Sequence, residues 1–72
     1  MDYILITLRF GEKSEDLKIP ALVPVSELLE MFREIYGING SALQAEPKGI
    51  ILDKNKTLEE QGILYGANLT IN

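Results

Sequence analysis

LKIPALVPVSELLEMF (residues 17–32) is the stretch on which the fold turns. Two prolines, Pro20 and Pro24, bracket three small apolar residues immediately before a run with helical spacing. Proline fixes its own φ and offers no N–H to a sheet ladder. It also drives the residue before it into extended geometry. Ile19 and Val23 are therefore expected to be extended, and the strand that enters this stretch is expected to stop near Pro20. From Pro24 onward the period changes. Val25, Leu28, Leu29, Phe32, Ile35 and Tyr36 follow helical spacing, which predicts an amphipathic helix over 25–36. Glu27 and Glu30 lie in its first half, where carboxylates suit the helix dipole, and Arg33 lies in its second. Gly37 follows as the residue that leaves the helix with positive φ. The stretch is a strand-to-helix crossover with little slack.

Upstream, YILITLRF (3–10) alternates, with Ile4, Ile6, Leu8 and Phe10 on one face. Period two and β-branching predict a strand, and its second, half-apolar face predicts neighbours on both sides. GEKSE (11–15) reads as a polar turn and DLKI (16–19) as a return strand, so the two form a hairpin. Downstream of the helix, Asn39-Gly40 is a turn signal. ALQAE (42–46) reads as a strand, Pro47-Lys48-Gly49 as a turn and IIL (50–52) as a short strand. DKNK (53–56) is another turn. Thr57-Leu58-Glu59-Glu60 fits a capping box with Thr57 as N-cap and Glu60 at N3, which predicts a short helix closed by Gly62. ANLTI (67–71) is a last apolar strand, expected to pair near the first. The order is β-β-α-β-β-(short helix)-β. One main helix on one face of a mixed sheet of four to five strands is the economical α+β arrangement.

Seventy-two residues, taken as a single domain over 1–72, allow one small core. There is no cysteine and no histidine, which removes the commonest nucleophile, acid/base and transition-metal groups. Eleven acidic against seven basic residues leave a net charge of −4, which argues against a nucleic-acid partner. No apolar run approaches the ~20 residues of a membrane span, and the N-terminus lacks the pattern of a secretory signal. These features are those of a cytoplasmic globular domain without membrane insertion.

The layout resembles the β-grasp fold of ubiquitin over essentially the whole chain, most clearly in TLEEQGILYGANLTI (57–71). Leu17, Ile19, Val25, Leu52, Leu58, Ile63, Leu69 and Ile71 fall where ubiquitin keeps core residues. DLKIPALVPVSELLEMF (16–32) is more closely similar to the small bacterial ubiquitin-like proteins of the YukD and EsaB type. In those an Asp-Leu strand leads through a Pro-Ala-x-x-Pro link into the helix. That resemblance implies an accessory role in type VII secretion of WXG-type substrates in Gram-positive bacteria. Two departures from ubiquitin bear on chemistry. Conjugated relatives and sulfur carriers end in a flexible Gly-Gly tail, whereas Leu69-Thr70-Ile71-Asn72 runs straight out of the last strand, so covalent conjugation is not expected. Ubiquitin's apolar recognition face is replaced by polar Gln44, Thr70 and Asn72, so partners that read that face are not expected to bind.

Several patterns invite a chemical reading. Asp53-Lys54-Asn55-Lys56-Thr57 places acceptors like a calcium loop, but Leu58 and Leu64 stand where that loop needs Gly and Glu. A turn and an N-cap explain it better. Glu12, Glu15 and Asp16 sit on a hairpin turn, where solvated carboxylates lack the cleft that catalysis needs. Gly37, Gly62 and Gly66 read as cap and turn glycines. No catalytic residue, metal or cofactor is assigned.

Two apolar pieces fit no structural role. Leu22 lies in the link between the prolines, and Leu64-Tyr65 follows the core residue Ile63 at positions that are polar in ubiquitin. If they share a surface, Leu22, Leu64 and Tyr65 are the candidate partner-binding residues. The expected function is that of a non-conjugated adaptor that binds a protein. By resemblance that partner is a secretion ATPase or a membrane subunit, met on its cytoplasmic side. The alternative is a small non-catalytic subunit of a multicomponent enzyme, distinguished by gene neighbourhood. The short edge strands 16–19 and 50–52 also offer edges at which chains pair.

Overall fold

The first strand is the organiser of the sheet. In a computed structural model that describes residues 2–72, β1 (Tyr3–Phe10) has a neighbour along each edge. On one side it pairs antiparallel with β2 (Lys13–Pro20), and on the other it pairs parallel with β5 (Asn68–Ile71). β3 (Leu43–Ala45) continues from β5, and β4 (Ile50–Ile51) forms the far edge, giving the order β2-β1-β5-β3-β4. The one helix among the described residues, α1 (Val25–Tyr36), has the bounds that the helical spacing predicts. The α+β architecture, a five-stranded mixed sheet with one helix over one face, is that of the β-grasp fold.

The core lies between that face and α1. Ile4, Ile6 and Leu8 from β1, Leu17 and Ile19 from β2, Leu43 from β3, and Leu69 and Ile71 from β5 meet Val25, Leu28, Leu29 and Phe32 from the helix. Leu52 and Leu58 from the loops close it. Those from the strands and the helix occupy the inward phase of their elements.

The return strand is longer than the sequence predicts. Residues 13–15, expected in a polar turn, pair with Phe10, Arg9 and Leu8, and the turn shrinks to Gly11-Glu12. Gly11 has φ of +62° and Glu12 a negative φ, the sign pattern of a type II′ turn, whose twist matches a tight hairpin. A two-residue connection fixes the register, so the polar residues that follow are drawn into the ladder whatever their propensity.

The helix stripe is shorter than predicted at its end. Ile35 is exposed, and so is Tyr36. The reason is the cap. Gly37 adopts the left-handed conformation (φ +67°) and donates to Arg33 O, and Ile38 N–H reaches Phe32 O. The chain folds back under the helix, and Ile38 fills the core position that Ile35 is denied. Residues 57–62 are also not helical. They form successive turns, with Gln61 N–H on Leu58 O and Gly62 N–H on Glu59 O. The capping box is nevertheless made as predicted: Thr57 N–H donates to Glu60 Oε1 at 2.9 Å, and Glu60 N–H to Thr57 Oγ1 at 3.0 Å. Gly40 is a close-approach glycine as well as a turn residue. A Cβ there would lie 2.8 Å from Asn72 O and against the Ile71 side chain.

Candidate functional site

The proline link is stitched from three directions. β2 ends at Pro20, opposite Tyr3, on an edge strand where a missing N–H is tolerated. Ala21 is buried; its N–H donates to Asp2 O at 2.7 Å, and its carbonyl accepts from Glu59 N–H at 3.2 Å. Pro24, at φ −59° and ψ 148°, precedes the helix without supplying a side-chain cap. The orphan N–H groups of the first turn find carbonyls instead: Val25 N–H donates to Lys56 O and Ser26 N–H to Lys54 O. The 53–57 loop is therefore the cap of α1.

That loop is held by Gln61. Its Oε1 accepts from Asp53 N–H at 2.7 Å, and its Nε2 donates to Asp53 O at 3.0 Å, with longer bonds to Thr57 O and Lys56 O. The Asp53 carboxylate accepts from Asn55 N–H, which makes the segment an Asx turn. Among the described residues no group of three or more His, Cys, Asp or Glu is arranged to hold a metal ion.

With Ala21 turned inward, Leu22 is left half exposed. Leu64 and Tyr65 are more exposed still, at 74% and 65%. Leu64 O accepts from Ala67 N–H, and Gly66 has φ of +86°, so Tyr65 stands at the tip of a type II turn. The same turn is tied to the sheet, because Gly66 N–H donates to Leu5 O at 2.7 Å. Leu22 follows a residue bonded to Asp2, and Tyr65 precedes one bonded to Leu5. Both pieces are thus anchored along the opening residues of β1. Tyr3, half exposed at that same opening, was not singled out from the sequence; its position in an alternating strand reads as ordinary sheet surface.

The open face of the sheet is different in kind. Gln44, Thr70 and Asn72, polar as the sequence shows, are joined into one network through Glu46. The Thr70 hydroxyl donates to Glu46 Oε2 at 2.6 Å, Gln44 Nε2 donates to the same oxygen at 3.0 Å, and Asn72 Nδ2 donates to Gln44 Oε1. The Thr70 bond first, and then the Gln44 bond, hold the Glu46 carboxyl below the usual range against desolvation, which raises it; Arg9 and the Gly49 backbone add smaller effects in the lowering direction. On the hairpin, Asp16 Oδ1 accepts from the Thr7 hydroxyl across the strand pair at 2.7 Å. Among the described residues no helix is long and apolar enough to cross a membrane, and none of their surfaces forms a ligand-sized pocket.

Comparison with known proteins places this geometry. The family model described as "WXG100 protein secretion system (Wss), protein YukD" matches residues 3–71. A search of curated proteins returns no match. Among solved structures, the ubiquitin-like domain of an Arabidopsis thaliana protein superposes with a TM-score of 0.77 at 22% identity, over 100% of this chain and 78% of that one. A designed protein based on ubiquitin gives 0.73 at 25% identity, over 99% and 88% of the two chains. The EccD5 ubiquitin-like domain from Mycobacterium xenopi gives 0.72 at 18% identity, over 97% and 92%. These similarities establish the ubiquitin-like fold.

Proposed function

The chain belongs to the YukD family of the WXG100 protein secretion system, and from that premise we propose that it is a non-conjugated ubiquitin-like adaptor acting by binding a component of that type VII machinery. The observation that carries the reading is the family match across residues 3–71, nearly every residue of the chain. The partner is a cytoplasmic part of the machine, either its motor ATPase or the cytoplasmic side of a membrane subunit, and the adaptor works in the cytoplasm. It acts by contact rather than by catalysis. Leu22, Leu64 and Tyr65 are the contact residues. They are apolar, exposed, and carried on segments whose backbone is already ordered by hydrogen bonds, so little freedom is lost on docking.

The test is crosslinking and affinity capture of the tagged protein in its native host, with an unrelated β-grasp domain as control. Secretion-system components are expected to be enriched over the control. Equal recovery in both would refute the adaptor reading. Incubation with ATP and an activating enzyme of the ubiquitin or sulfur-carrier type is expected to give no adenylate or thioester; a trapped adenylate would refute the non-conjugated part of the proposal.

A further inference from the structure

The exposed large apolar side chains of the described residues fall in three places. Ile35 and Tyr36 end the helix, and Ile50 and Ile51 form the edge strand β4. Tyr3, Leu22, Leu64 and Tyr65 all belong to the segments that converge at the start of β1. The convergence is fixed by the backbone: Tyr3 opposite Pro20, Ala21 between Asp2 and Glu59, and Gly66 on Leu5.

The charge on those segments has one sign. Residues 2–8, 19–25 and 57–67 contain three carboxylates, Asp2, Glu59 and Glu60, and neither Lys nor Arg. All three are exposed. Asp2 and Glu59 flank the link directly, since their main chains hold Ala21 from either side. Glu60 is pinned by its place in the capping box, where its carboxylate accepts from Thr57 N–H. Lys18 stands on β2 opposite Leu5, and Lys54 and Lys56 are on the loop that caps the helix. The chain as a whole carries −4, so a second copy would be repelled rather than drawn to this end.

Resting on the adaptor reading above, we infer that this end docks a segment of its partner in which apolar side chains are flanked by lysine or arginine. The apolar residues meet Leu22, Tyr65, Leu64 and Tyr3. The partner's cations face Asp2, Glu59 and Glu60 at the rim, where they steer association and set register more than they add affinity. Tyr65, a rigid aromatic at the tip of a fixed turn, is the central anchor.

The experiment uses peptides tiling the cytoplasm-facing segments of the host's WXG100 secretion-system proteins. Binding of the whole chain is measured by fluorescence polarisation at low and high salt. The tightest peptides are expected to be basic and apolar. Tyr65→Asp and, independently, Leu22→Asp are expected to weaken them at least about 30-fold, the scale of a lost hot spot. The double charge reversal Asp2→Lys/Glu59→Lys is expected to cost about 10-fold at low salt and little at high salt, where exposed charges are screened. Each variant is first shown to unfold with a wild-type transition. Ile35→Glu, at the exposed end of the helix, is expected to leave binding unchanged.

The peptide assays overturn the inference in any of four ways. One is selection of acidic or neutral peptides, or of none. Another is charge-reversed protein that binds as tightly at low salt. A third is Ile35→Glu weakening binding as much as Tyr65→Asp. The last is self-association of the free protein that Tyr65→Asp abolishes, which would assign this end to a second copy. Capture of full-length secretion components by the Tyr65→Asp protein would sink the site while leaving the adaptor function standing. Failure of the wild type to capture any would sink both.

Discussion

Gln61→Ala tests whether one side chain, remote in sequence from the helix, governs how that helix begins. The Gln61 amide makes two short bonds to Asp53, at 2.7 and 3.0 Å, and two longer ones at 3.3 and 3.4 Å that compete for the remaining proton. A net contribution of about 0.5–1.5 kcal/mol per bond applies to the short pair. Water reaches these groups, so the lower half of that range is appropriate, and the sum is about 1–2 kcal/mol. For a domain of this size each kcal/mol moves Tm by roughly 4–8 °C, so a loss of about 4–16 °C is expected. The distinctive readout is local. If the 53–57 loop loosens, Lys54 and Lys56 carbonyls no longer hold the amides of Ser26 and Val25. Hydrogen exchange at those two amides is then expected to accelerate more than at Phe32 or later helical positions. Gln61→Glu, which keeps the acceptor and loses the donor, is expected to fall between wild type and alanine. A Tm shift under about 3 °C, or unchanged protection at Val25 and Ser26, would refute the claim that Gln61 organises the cap.

Three further outcomes are expected. Phe32 is fully buried at the centre of the core, with Tyr36 tilted against it at a centroid distance of 6.4 Å; Phe32→Ala is expected to cost ~3–5 kcal/mol, most of the stability of a 72-residue chain, and a cooperative transition within a few degrees of wild type would contradict it. Gly40→Ala forces a Cβ against Asn72 O and Ile71, and calorimetry is expected to show a loss of about 1–3 kcal/mol from overpacking; an unchanged Tm would mean the contact relaxes freely. The Glu46 carboxyl titrates below its ordinary value, so its bonds to Thr70 and Gln44 stabilise the fold above the ordinary glutamate pKa and are lost as pH falls through the folded value. The Tm gap between wild type and Glu46→Gln is therefore expected to be larger at neutral pH than in strong acid; a gap that grows in acid would reverse the sign of the argument.

What was legible in the sequence follows the strength of local signals. The helix over 25–36 was readable because its spacing, the proline before it and the glycine after it agree. The capping box was readable because its two partners lie three residues apart. The start of β2 was not, since Lys13-Ser14-Glu15 has no strand character of its own. It is carried into the ladder by a hairpin register that β1 and the Gly11-Glu12 turn impose. Ile35 misled because periodicity says which face a residue occupies, not whether the sheet still lies beneath it. Gln61 escaped notice because its partners at 53 and 56 become neighbours only after the chain has folded.

The candidate surface was half legible for a related reason. Sequence placed Leu22 between prolines and Tyr65 before a glycine, but not Ala21 inward and Leu22 outward, which depends on hydrogen bonds to Asp2 and Glu59. In the proposed docking mode, the start of β1 is the cheaper of the two regions for a partner to cover. To cover the open face of β3 and β5, a partner must strip water from an ionised Glu46 and from Gln44 and Thr70, which already spend their bonds on one another. Desolvating a charge that the partner does not re-pair costs several kcal/mol or more. At the start of β1 that cost is small. Ala21 N–H and C=O, Leu64 C=O and Gly66 N–H already have main-chain partners, so what a docking segment displaces is water over apolar carbon. In the proposed docking mode the exposed carboxylates there stand at the rim, where they keep much of their hydration while facing a cation. A partner segment that brought its own carboxylates to this rim would meet Asp2, Glu59 and Glu60 without compensation, which is why the charge-reversed protein and the salt series discriminate the docking mode more sharply than truncation of any one apolar side chain.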